Sequence, residues 1–268
     1  MSAAAVRDER LTIAGTRVRV QSAGQGPPLL YLHGAGGVAW LPGHSLLAEH
    51  VRLIVPEHPN WGEDELAEGL ESIDDLVYFY LDFLDALGLE RVHLAGHSLG
   101  GWLAAELAVA HPERLWTLTL IDAAGLWLND VPMPDLFALS PAESARLANY
   151  NPAVAEAAIA AGATPEARAA AARAKAAFAR ISWNPYLYNP RLAGRLRRAR
   201  LPTLVVWGAE DRIIPAPYGE EYRRLLPDAR LVSFPACGHS PAREKPAELV
   251  QAMLSFLRER APEGTRPG

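Results

Sequence analysis

The chain has 268 residues, 50% of them hydrophobic, so it is long enough for one sizeable core and does not have the composition of a disordered protein. The formal net charge of -5 comes from mixed acidic and basic residues without a basic stripe, which makes nucleic acid a poor candidate partner. No stretch has the apolar length of a signal peptide or the roughly 18 apolar residues of a membrane span, so we expect a cytoplasmic protein without a membrane partner. The single cysteine, Cys237, excludes an internal disulfide and a cysteine-based metal cluster.

The first half of the chain alternates strand and helix patterns. Val18 and Val20 alternate with polar residues after the turn pair Ala14-Gly15, which predicts an opening β-hairpin. Short continuous apolar runs then predict strands that are buried on both faces of a sheet. The predicted strands lie at 29–32, 52–55, 91–96 and 115–121, and the predicted helices lie at 72–88 and 99–110.

The alternation stops after Gly125 and resumes near residue 202. Residues 126–195 are rich in alanine, arginine and proline, and Thr164 followed by Pro165 has the pattern of a helix start. We therefore predict an α/β fold with a mostly parallel sheet, helices on both faces and a helical cap insertion. The predicted core comprises residues 1–125 and 196–268, and the predicted cap comprises 126–195. The last stretch, "APEGTRPG", is expected to be a loose tail.

The tripeptide "GHS" occurs three times and ends at Ser45, Ser98 and Ser240. Ser98 lies between a predicted strand and a predicted helix, with a glycine two positions away on each side, as in the sharp turn of a G-x-S-x-G motif. Such a turn exposes the serine hydroxyl, and the following helix presents backbone N–H groups to developing negative charge. The corresponding position after Ser45 is Leu47 rather than glycine, so Ser45 is interpreted as a polar residue at the start of a short helix.

In the third copy the histidine, His239, is the candidate functional residue, because it follows the last predicted strand. A serine hydroxyl needs a base to take its proton, and a histidine needs a carboxylate to hold its tautomer. Asp211 follows the strand predicted at 202–208 and supplies that carboxylate in the chain order Ser98, Asp211, His239. Its neighbour Glu210 and the more distant Asp122 are the alternative acids.

Four motifs in this order resemble the α/β-hydrolase superfamily over nearly the whole chain. They are "LHGAGG" at 32–37, "GHSLGG" at 96–101, "GAEDRIIP" at 208–215 and "CGHSPAREKP" at 237–246. The resemblance implies Ser98 as nucleophile, His239 as general base and Asp211 as orienting acid. It also implies an oxyanion hole made of the backbone N–H groups of Ala35 and Leu99, and no cofactor. Some members carry their acid at the position that corresponds to Asp122.

The nucleophile narrows the reaction class. Relatives that open epoxides or displace halide use an aspartate at this turn, so Ser98 favours attack on a carbonyl and an acyl-enzyme. We therefore predict a carboxylesterase that acts on a small-molecule ester with an apolar or aryl group. Lactone hydrolysis, peracid formation from a bound carboxylate and non-catalytic binding on the same fold are alternatives.

Carbon–carbon bond hydrolysis is a further alternative. The stretch "WNPYLYNPRLAGRLRRARLPTLVVWG" is similar to the return from cap to core in meta-cleavage-product hydrolases. That family usually has a tryptophan directly after the catalytic histidine, where this chain has Ser240. The ester prediction is therefore preferred.

The cap is expected to supply the substrate pocket. We predict that Trp127, Phe137, Trp183 and Tyr186 line an apolar pocket, while other aromatic residues of the cap hold it to the core. Arg191 is a candidate contact for a substrate carboxylate. The acidic residues at 63–65 and 74–75 have the patterns of a solvated loop and a helix start, so no metal site is predicted, and the sequence gives no signal for an oligomeric state.

Overall fold

The structure is a computed structural model that describes residues 5–63 and 66–268. It opens with the predicted hairpin, in which β1 (Arg7–Ile13) pairs antiparallel with β2 (Thr16–Ala23). The turn between them places Ala14 and Gly15 at positive φ, 45° and 85°, which matches the right-handed twist of the two strands. Asp64 and Glu65, part of the predicted acidic loop, lie outside the described residues.

Six further strands complete an eight-stranded sheet. The strand order is β1-β2-β4-β3-β5-β6-β7-β8, and the pairs from β4-β3 through β7-β8 are parallel. Parallel neighbours require crossover connections, which the helices between the strands supply. The additional strands are β3 (Pro28–Leu32), β4 (Arg52–Pro56), β5 (Val92–His97), β6 (Leu115–Ile121), β7 (Thr203–Gly208) and β8 (Ala229–Phe234).

Ten α-helices occur among the described residues. They are α1 (Pro42–Leu47), α2 (Ile73–Ala86), α3 (Leu99–Ala110), α4 (Pro141–Ala148), α5 (Pro152–Ala161), α6 (Pro165–Ser182), α7 (Leu192–Arg195), α8 (Pro217–Leu225), α9 (Pro241–Glu244) and α10 (Pro246–Arg260). None of these helices combines the length and the apolar character needed to cross a membrane.

The sheet separates two hydrophobic clusters. Leu30 and Leu32 of β3 belong to the cluster under α2, α3 and α8, whereas Leu29 and Tyr31 belong to the cluster under α1 and α10. Successive side chains of a strand point to opposite faces, so a strand covered on both sides must be apolar throughout. The predicted sheet with helices on both faces is therefore confirmed.

Four helices, α4 to α7, lie within the segment predicted as a cap, between β6 and β7. The side chains of Ser140, Asn151 and Thr164 each accept a backbone N–H at the start of one of these helices, and a proline follows each of them. Local capping chemistry therefore fixes where the first three of these helices begin.

The C-terminal stretch does not have the loose conformation expected from its composition. His93 Nε2 donates a hydrogen bond to the carbonyl oxygen of Thr265 at 2.8 Å, and Arg258 donates one to that of Gly268 at 2.7 Å. The expectation was wrong because the composition of the tail does not show its partners, of which His93 lies on β5, far away in sequence, and Arg258 lies on the preceding helix α10.

The first turn of α3 packs directly on the backbone of β3. A methyl group added at Gly100 would overlap the carbonyl oxygen of Leu32 and lie 2.5 Å from that of His33. Only glycine permits this approach, which brings the end of β5 and the start of α3 next to the loop that follows β3.

We expect Gly100→Ala to lower the free energy of unfolding by about 3 kcal/mol or to prevent folding, because neither backbone can retreat. Gly194→Ala is the matched control, since a methyl group at Gly194 meets no atom within 4 Å. It should change stability by no more than about 0.5 kcal/mol. Urea unfolding of both variants checks this, and parental stability of Gly100→Ala would contradict the close packing of α3 on β3.

Candidate active site

Ser98 sits at the sharp turn between β5 and α3. Its backbone has φ 55° and ψ -117°, a conformation that costs on the order of 1–3 kcal/mol for a residue with a side chain. The Ser98 N–H donates to Ile121 at 3.0 Å, and the Ser98 carbonyl accepts from Gly101 at 2.9 Å and from Ala124 at 3.0 Å. The Ser98 carbonyl also accepts from Trp102 at 3.1 Å, so four backbone hydrogen bonds hold the strained turn. The Ser98 side chain lines a pocket.

His239 and Asp211 form a buried pair beside this turn. His239 Nδ1 donates to Asp211 Oδ2 at 2.7 Å, and Asp211 Oδ1 accepts from the N–H groups of Ile213 at 2.7 Å and Ile214 at 3.0 Å. Ser98, His239 and Asp211 are only 8%, 6% and 5% exposed. Within the described residues no hydrogen bond joins Ser98 to His239, although both line the same pocket.

The two residues predicted to form the oxyanion hole, Ala35 and Leu99, lie on the segments next to Ser98. Leu99 is the first residue of α3, so its N–H belongs to the positive end of that helix. Ala35 lines the pocket, and Trp61 Nε1 donates to its carbonyl at 3.0 Å. Gly34, directly before Ala35, packs on the turn so closely that an added methyl group would lie 3.1 Å from Ser98 Cβ. Neither N–H donates to a protein acceptor in residues 5–63 or 66–268.

A buried chain of hydrogen bonds holds the loop that carries Ala35. His33 Nδ1 donates to Gly34 O at 2.7 Å, and His33 Nε2 accepts from the N–H of His58 at 2.9 Å. His58 Nε2 donates to His33 O at 2.8 Å, and His58 Nδ1 accepts from the Tyr80 hydroxyl at 2.7 Å. Burial lowers the pKa of His58 to about 4 and that of His33 well below its usual value. Both rings are therefore neutral at pH 7, as this pattern of donors and acceptors requires.

His97 and Asp122 lie behind His239. His97 Nε2 donates to the carbonyl oxygen of His239 at 2.6 Å, and burial together with the neighbouring His239 lowers the pKa of His97 to about 3. Asp122 Oδ1 accepts from the N–H of Gly208 at 2.8 Å. Burial, and then the negative charge of Asp211, raises the pKa of the Asp122 carboxyl well above its usual value. This environment therefore favours the protonated form of Asp122.

Among the described residues, His97, Asp122 and His239 are the group whose potential metal-ligating atoms lie close together. Atoms of His97, Asp122 and His239 lie within 4.8 Å of one another. A carboxyl group must lose its proton to bind a metal, and the environment of Asp122 opposes that loss. The chemistry of this donor set therefore works against a metal ion.

A cavity of 450 Å³ opens above Ser98 between the core and the cap. Small side chains from α4 and α6, among them Ala145, Ala148, Ala171 and Ala174, form much of its lining. Lys175 and Arg243 are the cationic side chains that line it, while no aspartate or glutamate of the described residues does so. The pocket is therefore mostly apolar and carries positive charge.

The four cap aromatics predicted to bind substrate do not line this cavity. Phe137 stacks on Phe178, 4.8 Å between ring centroids, and contacts Trp183 at 5.2 Å and Tyr186 at 5.8 Å. Trp127 packs on a tyrosine of the loop before α7, 5.4 Å between ring centroids. These rings pack on other aromatic rings of the cap, with Trp127 39% and Trp183 64% exposed, and among the aromatic residues of the cap only Phe178 reaches the lining.

Arg191 also lies outside the lining, and sequence reasoning missed the two cations that do reach the pocket. Arg243 follows His239 by four residues and lies on α9, directly after the turn that carries His239. That spacing was the available signal. No sequence signal indicated Lys175, because the alanine-rich sequence of α6 does not show which face of the helix is directed to the cavity.

Comparison with known proteins agrees with this geometry. A model of the alpha/beta hydrolase family matches residues 29–252. The chain is 28% identical over 267 residues to the 2-hydroxy-6-oxo-6-phenylhexa-2,4-dienoate hydrolase of Comamonas testosteroni, covering 91% of this chain and 92% of that protein. It is 32% identical over 250 residues to the dihydrolipoyllysine-residue acetyltransferase component of the acetoin cleaving system of Pseudomonas putida. That match covers 87% of this chain, which spans 64% of the length of that relative.

The fold is similar to solved structures over almost all of the chain. The 2-hydroxy-6-oxo-6-phenylhexa-2,4-dienoate hydrolase from Rhodococcus sp. strain RHA1 superposes with a TM-score of 0.78 at 24% identity. The superposition covers 95% of this chain and 99% of that one. The predicted fold class is confirmed, and the chain belongs to the alpha/beta hydrolase family.

Proposed function

We propose that this protein is a serine hydrolase that cleaves carboxylic esters of small apolar or aryl substrates through an acyl-enzyme on Ser98. The observation that carries the proposal is the 2.7 Å bond between His239 and Asp211, beside a serine on a strained turn that faces the pocket. These three groups are what an activated serine nucleophile needs, and they come together from three separate loops.

The proposed reaction begins when His239 takes the proton of the Ser98 hydroxyl, whose oxygen attacks the ester carbonyl. The negative oxygen of the tetrahedral intermediate accepts hydrogen bonds from the N–H groups of Ala35 and Leu99, each worth roughly 100- to 1,000-fold in rate in hydrolases. His239 then gives its proton to the leaving alcohol. Water activated by His239 releases the acid and restores Ser98.

Pocket shape supports a short acyl chain or a compact aryl group. The alanine-rich lining contributed by α4 and α6 offers apolar surface with few polar partners, so a neutral substrate group loses no hydrogen bonds on entering. The volume of 450 Å³ is in the range of pockets that hold small organic ligands.

Asp211 rather than Asp122 is the proposed acid of the triad. Asp211 bonds the imidazole directly, whereas the environment of Asp122 favours its protonated form, which has no charge to stabilise an imidazolium. We expect Asp211→Asn to lower kcat by about 10⁴-fold, because the amide favours the wrong tautomer of His239.

Asp122→Asn mimics the protonated carboxyl and should keep kcat within about threefold of the parent. Steady-state hydrolysis of p-nitrophenyl butyrate by the parent and both variants measures this difference. A loss in Asp122→Asn as large as that in Asp211→Asn would contradict the assignment.

Hydrolysis of p-nitrophenyl esters from acetate to octanoate, with a lactone in the same series, tests the substrate class. We expect an optimum at short or medium chain length, and Ser98→Ala should lower kcat by on the order of 10⁴- to 10⁶-fold. Ser45→Ala is the matched control, since Ser45 stands in a second "GHSL" stretch but is exposed on α1. An unreactive parent, or equal activity of Ser98→Ala and Ser45→Ala, would overturn the proposal.

Carbon–carbon bond hydrolysis of a dienol acid is the second candidate function. It is supported by the named activity of the Comamonas testosteroni relative and by the cations of the pocket. Lys175 Nζ is held by the carbonyl oxygens of Phe137 at 3.0 Å and Leu139 at 3.3 Å. Across the described residues the Arg243 guanidinium has no hydrogen-bond or ion-pair partner, so it is the cation available to a substrate carboxylate.

If a dienoate is the substrate, Arg243→Met should lower kcat/KM for 2-hydroxy-6-oxo-6-phenylhexa-2,4-dienoate by about 10- to 100-fold, the effect of one charged hydrogen bond. It should leave p-nitrophenyl butyrate hydrolysis unchanged, because that ester is neutral. Arg191→Met, an exposed arginine outside the pocket, is the control. The second candidate is overturned if the parent does not cleave the dienoate, and equal losses on both substrates would contradict the role of Arg243.

A further inference from the structure

The carboxylate of Glu244 links two distant parts of the chain. Glu244 is the last residue of α9 and follows His239 by five positions. Its Oε2 accepts the N–H of Gly238, the residue before His239, at 2.6 Å. Its Oε1 accepts the N–H of Asn151, at the start of α5 in the cap, at 2.7 Å. One side chain thus bonds both the turn that carries His239 and the cap.

The turn that carries His239 also bonds the cap directly. The N–H of His239 donates to the carbonyl oxygen of Ala148, the last residue of α4, at 2.7 Å. A methyl group added at Gly238 would lie 2.7 Å from that same oxygen and 2.8 Å from the nitrogen of Tyr150. The backbone of the turn therefore lies against residues 146–151, which we call the cap bend.

The loop that carries Asp211 contacts the cap bend as well. The guanidinium of Arg212, the next residue, donates to the carbonyl oxygens of Arg146 at 2.5 Å and Asn149 at 3.0 Å. Both members of the His239–Asp211 pair are thus tied through their own loops to one short segment of the cap.

We propose that Glu244 is a positioning residue that sets the place of His239 by joining its turn to the cap bend. The two accepted N–H groups point at a single carboxylate, and hydrogen bonds to an ionised acceptor are the short, strong kind. Displacement of the cap bend therefore displaces His239. This inference rests on the proposed function, in which His239 is the base.

Glu244→Gln is the sharpest variant, because it keeps the shape of the side chain but turns one acceptor into a donor that faces an N–H. We expect kcat for p-nitrophenyl butyrate to fall roughly 10- to 100-fold, as for a displaced catalytic group, with KM within about twofold. The rate at which diethyl p-nitrophenyl phosphate phosphorylates Ser98 should fall in parallel. The amount of p-nitrophenolate released gives the concentration of reactive Ser98 sites. Dividing the rate by that concentration separates a lower kcat from a smaller folded fraction.

Glu248→Gln is the matched control, since Glu248 lies on α10, is exposed and pairs only weakly with Lys245 at 3.9 Å. It should behave like the parent. An unreactive parent overturns the proposed function together with this inference. A reactive parent with an unchanged Glu244→Gln, or with KM raised and kcat unchanged, overturns the inference alone.

A second pair of variants tests the hydrogen bond between Glu244 and the cap. It also tests the proposal if Glu244→Gln does not fold. Asn151→Pro removes the N–H that Glu244 accepts, and the φ of -79° at this position suits proline. Asn151→Ala keeps that N–H and loses only the side-chain cap of α5. We expect kcat to fall in Asn151→Pro and not in Asn151→Ala. Equal kcat in the two variants would overturn the proposed coupling.

Discussion

The site depends on a direct contact between the backbone of the first turn of α3 and the backbone at the end of β3. Gly100 allows it, because any side chain there would overlap the carbonyl oxygen of Leu32. The contact fixes the strained turn at Ser98 and sets the loop carrying Ala35 beside it. A serine and two N–H donors can be aligned to a fraction of an ångström only if they are fixed to such rigid elements, and that alignment is what catalysis by preorganised donors requires.

Burial decides the charges around this turn. Two carboxyl groups, Asp211 and Asp122, lie at the same edge of the sheet, and both cannot ionise cheaply in a dry interior. Asp211 accepts two backbone N–H groups and the His239 ring, whereas Asp122 accepts only one N–H, from Gly208. Burial, and then the neighbouring Asp211, raises the pKa of Asp122 well above its usual value, which favours the protonated form of that carboxyl. The environment thus assigns different roles to two identical side chains.

The fold and the order of the candidate triad were predictable because both follow from patterns of neighbouring residues. Continuous apolar runs indicate strands buried on both faces, and a G-x-S-x-G sequence between a strand and a helix has one sterically allowed shape. The cap is different. The positions at which its helices begin, Thr164 and Ser140, follow local capping rules. Which face of a helix meets the cavity depends instead on packing between helices, and an alanine-rich sequence does not distinguish one face from another. Large aromatic rings were therefore expected in the pocket, whereas they pack on other aromatic rings of the cap and alanines line the cavity.

The hydrogen bonds between cap and core also distinguish two segments of the cap, the cap bend and α6. Residues 146–151 bond the turns that carry His239 and Asp211, so a change there alters the geometry of the proposed chemistry. Ala171 and Ala174 on α6 also line the cavity, and no hydrogen bond from either reaches those turns within the described part of the chain. Under the proposed function, substrate choice can therefore vary at α6 through the size of the lining side chains, whereas Ala148 of the cap bend both lines the cavity and bonds the turn that carries His239. A cap that only covered the site would not divide in this way. The division follows because one segment of the cap is bonded to the proposed base and the proposed acid at once.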